Sequence, residues 1–251
     1  MAESSLHATE LMRLFSLLMF RYRQLVDVVV AANIFLFYQE GEPNKRLSPD
    51  VLVTLGVPRE RLGRSYFVWQ MGKAPDFVIE ITSHSTRGED RNKKRTIYQQ
   101  IGVQEYFLYD PEGDWVRGGL QGYRLVDGAY EPIVEAADGS LESETLGLRL
   151  VLEDGRLQLY ELRSGERLLQ PIEVALAAEA EVAQAEAARA QAEAARAQAE
   201  ARAEAEERAR RESETRVEAA EARAAVESQA RLALEARLAE LEAPQQEPPS
   251  A

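Results

Sequence analysis

Asp50 and Glu80 stand where a charge is hardest to explain by packing. Asp50 heads the run VLV, and Glu80 sits inside FVIEI, where strand alternation sends Phe77, Ile79 and Ile81 to the opposite face. A carboxylate in such a run is costly to bury unless it is paired or holds a cation. Two of them on neighbouring strands converge on one point and make a hard, oxygen-rich site suited to magnesium or manganese. The opposite charge follows in the chain. Asp90, Lys94 and Tyr98 recur every four residues and so share one helix face, with Lys93 and Arg95 beside it. A lysine directed at the two carboxylates can orient or activate an attacking water and stabilise the charge developing on a phosphate. Two acids and one lysine around a metal are the minimum for metal-assisted phosphodiester hydrolysis.

The same residues have structural readings. Asp50 and Glu80 could serve as a cap or as a salt bridge to Lys94, and Asp90, in the first turn of a helix, is stabilised there by the dipole alone. Tyr98, Tyr106 and Tyr109 read as core or rim aromatics, Trp69 as a packing residue, and His84 as an exposed side chain in a Ser/Thr-rich turn. Gly72, Gly102 and Gly122 read as turn residues.

The elements that must position these groups follow from hydrophobic periodicity. Leu6 to Leu25 carries apolar residues at Leu11, Leu14, Leu18, Met19 and Tyr22, a helical spacing. Val26 to Ala31 and Ile34 to Tyr38 read as paired strands around the AAN break, and Asp50 to Leu55 as a short strand after a Gly/Pro/Asn loop. Asp76 to Thr82 is a more apolar strand. Arg87 to Ile101 is a helix that starts after Ser83, Ser85 and Thr86 and stops at Gly102, and Glu105 to Tyr109 is the strand after it. DPEGD at Asp110 to Asp114 is a turn; GYRL, YEPIV, LGLRLVLE and LQLYEL, between Gly122 and Leu162, read as short antiparallel strands.

Near Pro171 the composition changes. The chain before it is rich in Val, Ile, Leu, Phe and Tyr; after Glu173 it is almost entirely Ala, Glu, Arg and Gln up to Pro244. AEAARAQ occurs at Ala185 to Gln191 and again at Ala192 to Gln198, built of helix formers, with Glu186 and Arg189, and Glu193 and Arg196, three apart. A long helix from about Val174 to Leu241 follows, with Leu234, Leu238 and Leu241 on an a/d-like spacing that gives it coiled-coil character. It serves either as a route to a homo-oligomer or as a solvated spacer. The expected organisation is therefore a globular domain at 1–170, a helix or coiled coil at 171–243 and a disordered tail at 244–251.

Composition excludes several classes. With no cysteine and only His7 and His84, cysteine-ligated zinc, disulfide scaffolds and histidine-rich metal sites drop out. The lack of cysteine fits a cytoplasmic location. Leu14 to Phe20 is far short of the roughly 20 residues a bilayer span needs, and MAESSLHATE has no basic n-region, so neither a membrane anchor nor a signal peptide is expected. Of the net charge of −13, residues 1–170 carry −5 and residues 171–251 carry −8. Neither part has the basic balance of a dedicated nucleic-acid binder, so any contact with phosphate must be local.

The stretches SPDVLV, RSYFVWQMGKAPDFVIEITSHSTRGED, KKRTIYQQIGVQEYFLYDP, LQGYRL and LGLRL, in that order, resemble the Uma-type restriction endonuclease family, a branch of the PD-(D/E)XK nuclease superfamily. The resemblance covers roughly residues 5 to 165. It implies an α+β or α/β fold, a restriction-endonuclease-like core of mixed β-sheet flanked by helices, with Mg2+ (Mn2+ as the alternative) as cofactor and DNA as partner. Carried over, Asp50 takes the place of the motif aspartate and Glu80 that of the motif glutamate, and the backbone carbonyl of Ile81 becomes a third metal ligand. The superfamily pattern puts a lysine two residues after the glutamate, where this chain has Thr82. Relocation of that lysine to the next helix is known in the superfamily and nominates Lys94, with Lys93 second. In the superfamily the first helix can border the site, which brings His7 and Glu10 into view. The resemblance therefore implies a metal-dependent DNA endonuclease. The alternative is a catalytically inactive nuclease-like binding or scaffold module, oligomerised by its helical tail.

Overall fold

The computed structural model of the chain describes residues 5–82 and 88–242, with the side chains of 88–91 and 239–242 outside that description. The side chains of Asp90 and Leu241, the Ser83 to Thr86 cluster with His84, and the tail from Pro244 therefore lie outside the described residues. The chain divides into two compact units, Met1–Ala178 and Glu179–Ala251.

Helix α1, Ser5–Arg21, forms where the apolar residues recur at helical spacing, and it buries Leu11, Leu14, Leu17 and Leu18 along one stripe. Its last residue, Arg21, donates to both carboxylate oxygens of Glu161 at 2.9 Å and to the Leu146 carbonyl at 3.1 Å. The chain continues through β1 (Val28–Ala32), β2 (Leu36–Phe37), β3 (Arg46–Leu47) and β4 (Val51–Leu55). After a 3-10 turn come β5 (Tyr66–Phe67) and the one-turn helix α2 (Val68–Met71). Strand β6 (Phe77–Ile81), helix α3 (Gly88–Ile101) and strand β7 (Glu105–Tyr109) make a crossover unit whose two strands pair in parallel. The remaining strands are β8 (Leu120–Val126), β9 (Ala129–Pro132), β10 (Leu141–Ser143), β11 (Leu148–Glu153) and β12 (Arg156–Glu161), ahead of helix α4 (Pro171–Glu242).

Among the described residues the strands form three sheets: a mixed six-stranded sheet in the order β1-β4-β6-β7-β8-β9, and two three-stranded sheets, β10-β11-β12 and β3-β2-β5. The architecture is α+β, with a long C-terminal helix. β6 and β7 lie in the middle of the large sheet and are buried on both faces, which is why they read as nearly unbroken apolar runs. One face packs Val51, Val53, Phe77, Ile79 and Ile81 against α1 and the β10-β12 strands. The other packs Leu52, Val78 and Leu108 against Tyr98 of α3 and Leu36 and Tyr66 of the small sheet.

Two sequence expectations are corrected here. β1 and β2 do not pair with each other: β1 pairs with β4, from Val28 with Leu55 to Ala32 with Val51, and β2 enters the small sheet beside β3 and β5. The break is made at Asn33, which adopts a left-handed φ of 47° and donates its amide to the Asp50 carbonyl at 3.0 Å, turning the chain out of the large sheet. Gly122 is not a turn residue. It lies inside β8 opposite Phe107, and a Cβ there would stand 2.8 Å from the Phe107 ring.

Along α4 the described side chains from Glu179 onward are exposed. Its ion pairs span four residues, as in Arg196 with Glu200 and Arg210 with Glu214, so Arg196 pairs forward rather than back to Glu193. No helix among the described residues is long and apolar enough to cross a membrane.

Candidate active site

The site begins with strand register. β4 and β6 run antiparallel with Val51 opposite Ile79 and Leu52 opposite Val78, so the position just before β4 sets Asp50 across from Glu80. The ladder of β4 stops at Val51. Beyond it the Asp50 carboxylate, in place of a partner-strand carbonyl, accepts the Ile81 amide at 2.7 Å. The same carboxylate oxygen lies 3.3 Å from Nε2 of His7 on α1. Asp50, His7 and Glu80 are all buried.

Glu80 is held from the other side. Lys94 Nζ reaches one of its oxygens at 2.9 Å, and the Tyr98 hydroxyl donates to the other at 2.6 Å. Lys94 and Tyr98 are one turn apart on α3, so a single helix face grips both oxygens. Lys94 also donates to the Ser48 carbonyl at 3.4 Å, two residues before Asp50.

Burial pushes the Glu80 carboxyl up to about 7, with the nearby Asp50 charge adding to the rise; Lys94 and the Tyr98 hydrogen bond oppose it without cancelling it. Burial also pushes the Tyr98 hydroxyl well up, with Glu80 contributing, which keeps it a donor. Two coupled carboxylates with too little positive charge between them are arranged to gain from a cation. Among the described residues no group of three or more His, Cys, Asp or Glu side chains is placed to hold a metal. A pair of carboxylates nevertheless suits magnesium, which keeps several waters and takes its remaining oxygens from substrate phosphate. The donor set thus fits a hard divalent ion, with Asp50 and Glu80 as the residues that would hold it.

Of the residues nominated from sequence, the structure gathers Asp50, Glu80, Lys94 and Ile81 at one end of the large sheet. Ile81 contributes its amide to Asp50. Lys93 is exposed on α3. Glu10 is fully buried but engaged elsewhere, by Arg13 at 2.9 and 2.7 Å and by the Tyr109 hydroxyl at 3.3 Å. Thr82, where the resemblance puts a lysine, is buried, with no hydrogen-bond partner for its hydroxyl among the described residues. The sequence brings His7 into view only through the resemblance and reads Tyr98 as a core or rim aromatic. The signals were present: His7 lies four residues before Leu11 and seven before Leu14, on the buried stripe of α1, and Tyr98 lies one turn past Lys94.

A mixed sheet whose paired strand ends carry two buried acids, faced by a helix-borne lysine, is the arrangement of a nuclease-like domain. Residues 2–155 match the Uma2 family, described as "Putative restriction endonuclease", and the chain belongs to that family. Among solved structures it is similar to a putative nuclease belonging to DUF820 from Anabaena variabilis ATCC 29413, at 18% identity and a TM-score of 0.43, over 57% of this chain and 74% of that one. No curated protein matches the chain.

Proposed function

We propose that this chain is a divalent-metal-dependent endodeoxyribonuclease, acting in the cytoplasm, with its chemistry housed in residues 1–170. The observation that carries the reading is the convergence of two buried carboxylates where β4 meets β6, Asp50 on the Ile81 amide and close enough to act on Glu80, with Lys94 drawn onto Glu80. Family membership supports the same class of reaction.

In this reading Asp50 and Glu80 hold Mg2+, or Mn2+ in its place, with the Ile81 carbonyl as a third oxygen. When bound, the ion polarises a phosphate oxygen and lowers the pKa of a coordinated water. The protein's own groups do the rest. Lys94 orients the attacking water through its ammonium hydrogens and offsets charge on the phosphate. Tyr98 fixes the Glu80 carboxylate so that its orientation is set before substrate arrives, and His7 with the Ile81 amide does the same for Asp50. The net acidity of the chain makes DNA affinity modest and salt-sensitive.

Incubation of supercoiled plasmid with the full chain and Mg2+ or Mn2+ tests the reading. Wild type should nick or linearise the plasmid, and Asp50→Ala and Glu80→Ala should each cut at least about a hundredfold more slowly. Equal residual cutting by all three proteins contradicts it.

A further inference from the structure

The small β3-β2-β5 sheet has an outer face that the rest of the fold, among the described residues, does not bury in either core cluster. Strand alternation sends Leu36 and Tyr66 inward, where both are fully buried, and turns their neighbours Phe37 and Phe67 outward. Phe37 and Phe67 are cross-strand partners, with ring centroids 5.0 Å apart and planes within 18° of parallel. Phe35 continues the row on one side at 6.3 Å from Phe37, and Trp69 on the other at 5.1 Å from Phe67. Phe35 is exposed and the other three rings are half-buried. Arg46, the register partner of Phe37 on β3, lies 4.6 Å from the Phe35 centroid and 5.9 Å from that of Phe37. A groove of about 250 Å³ opens beside this row, between Phe37, Phe67 and Trp69 and the loop from Gln39 to Pro43.

A row of four aromatic rings with a guanidinium over one end calls for a partner that offers flat faces and negative charge together. Unpaired nucleotides offer both, because their bases stack on aromatic side chains while their phosphates attract the cation. A duplex keeps its base faces covered by stacking. A second copy of this chain docking the same face symmetrically would bring Arg46, and the exposed Lys45 beside it, toward their own equivalents. The segment beside the rings carries Lys45 and Arg46 as well as Glu40 and Glu42, so the attraction for phosphate is centred on the Arg46 guanidinium at the Phe35 end of the row. The chain path also links this face to the carboxylate pair. β3 runs through Leu47, Ser48 and Pro49 to Asp50, and the Ser48 carbonyl accepts from Lys94.

We propose that Phe35, Phe37, Phe67 and Trp69, with Arg46, form a stacking platform for the bases of single-stranded or locally unpaired DNA. The proposal deepens the nuclease reading and rests on it for the destination of the bound strand: unpaired or branched DNA becomes the substrate class.

Binding is measured on the full chain in the presence of a chelator, so that no cleavage contributes. Labelled oligo-dT of about 15 nucleotides and a duplex of equal length are compared by anisotropy, and tryptophan emission is followed in parallel. Oligo-dT should bind at least about tenfold tighter than duplex and quench the emission of Trp69. Trp69→Leu and Phe67→Leu should each weaken oligo-dT binding by about five- to a hundredfold and leave duplex binding unchanged. Trp69→Phe, which keeps a ring, should restore most of the affinity. Arg46→Gln, an exposed substitution that keeps all four rings, should weaken binding several-fold and reduce the salt slope by about one. Equal affinity for the two DNA forms, or variants that bind oligo-dT like wild type, would overturn the proposal. So would a fall in oligomeric mass for Trp69→Leu with oligo-dT binding unchanged, which assigns the face to a second copy. Retained oligo-dT binding in a wild type that never cuts plasmid sustains the platform and refutes the nuclease reading alone.

Discussion

Glu80 and Glu105 sit on adjacent parallel strands, both buried, and are held in opposite ways. Glu105 opens β7, and its carboxylate receives the Ser143 hydroxyl, the amides of Glu144 and Thr145 at 3.0 and 3.4 Å, and the Arg124 guanidinium at 3.0 Å. Asp110, just after β7, follows the same plan and accepts the amides of Glu112, Gly113, Trp115 and Val116. These two acids fasten loops, and backbone donors satisfy their lone pairs. Among the described residues Glu80 receives no backbone donor. It has two side-chain partners on one helix face and a second carboxylate, Asp50, close enough to raise its pKa. A buried charge alone therefore does not mark a functional site. What separates the two regions is whether the carboxylate's charge is met by fixed donors or left in competition with another charge.

Exchanging the roles of the two acids should break this contrast most sharply. Glu80→Gln should lower plasmid cleavage at least about a hundredfold with only a small loss of thermal stability, since the charge it removes is one that burial opposes and Lys94 keeps the Ser48 carbonyl. Glu105→Gln should do the reverse. Its loops lose an acceptor and Arg124 loses one of its two carboxylate partners, keeping Glu144, at a cost of about 2–4 kcal/mol in urea unfolding followed by tryptophan emission, with cleavage per folded molecule kept. Matching losses of activity and stability in both variants would erase the distinction.

The pH dependence of stability should carry the same signature. The Glu80 carboxyl titrates near 7 in the folded chain and near its ordinary 4.5 when unfolded. Between those values the folded state keeps a proton that the unfolded state has lost, so stability falls as pH rises through this window. The penalty, about 3 kcal/mol, is absent below the unfolded value and complete above the folded one. Melting temperatures between pH 4.5 and 8 should show this decline in wild type and a flatter profile in Glu80→Gln. A smaller effect belongs to Tyr98→Phe. Loss of the hydroxyl removes a hydrogen bond to the charged form, so the Glu80 pKa should rise further and the cleavage profile shift about one unit toward alkaline pH. An unshifted profile would leave Tyr98 a packing residue.

The candidate site was more legible in the sequence than the sheet connections around it. Asp50 and Glu80 stand out because one heads an apolar strand and the other interrupts one, a local signal. Lys94 and Tyr98 shared a helix face by spacing, although only the structure shows that the face is spent on gripping Glu80. His7 was hidden by its regularity: it lies on the same stripe of α1 as the core leucines, and what sets it apart is the non-local approach of Asp50. The small sheet was missed for a related reason. Two-residue strands such as Leu36–Phe37 and Tyr66–Phe67 have too little length for a period, and their pairing joins segments about thirty residues apart. Gly122 resembled a turn glycine because its constraint, the Phe107 ring on the next strand, cannot be seen along the chain.

On the proposed reading the competing carboxylates form a divalent-cation site and the satisfied ones do not. Titration of Mn2+ into the full chain, with bound ion counted by electron paramagnetic resonance, tests it directly. Wild type and Glu105→Gln should bind the ion, and Asp50→Asn and Glu80→Gln should both lose it; unchanged binding in those two variants would contradict a carboxylate-held cation.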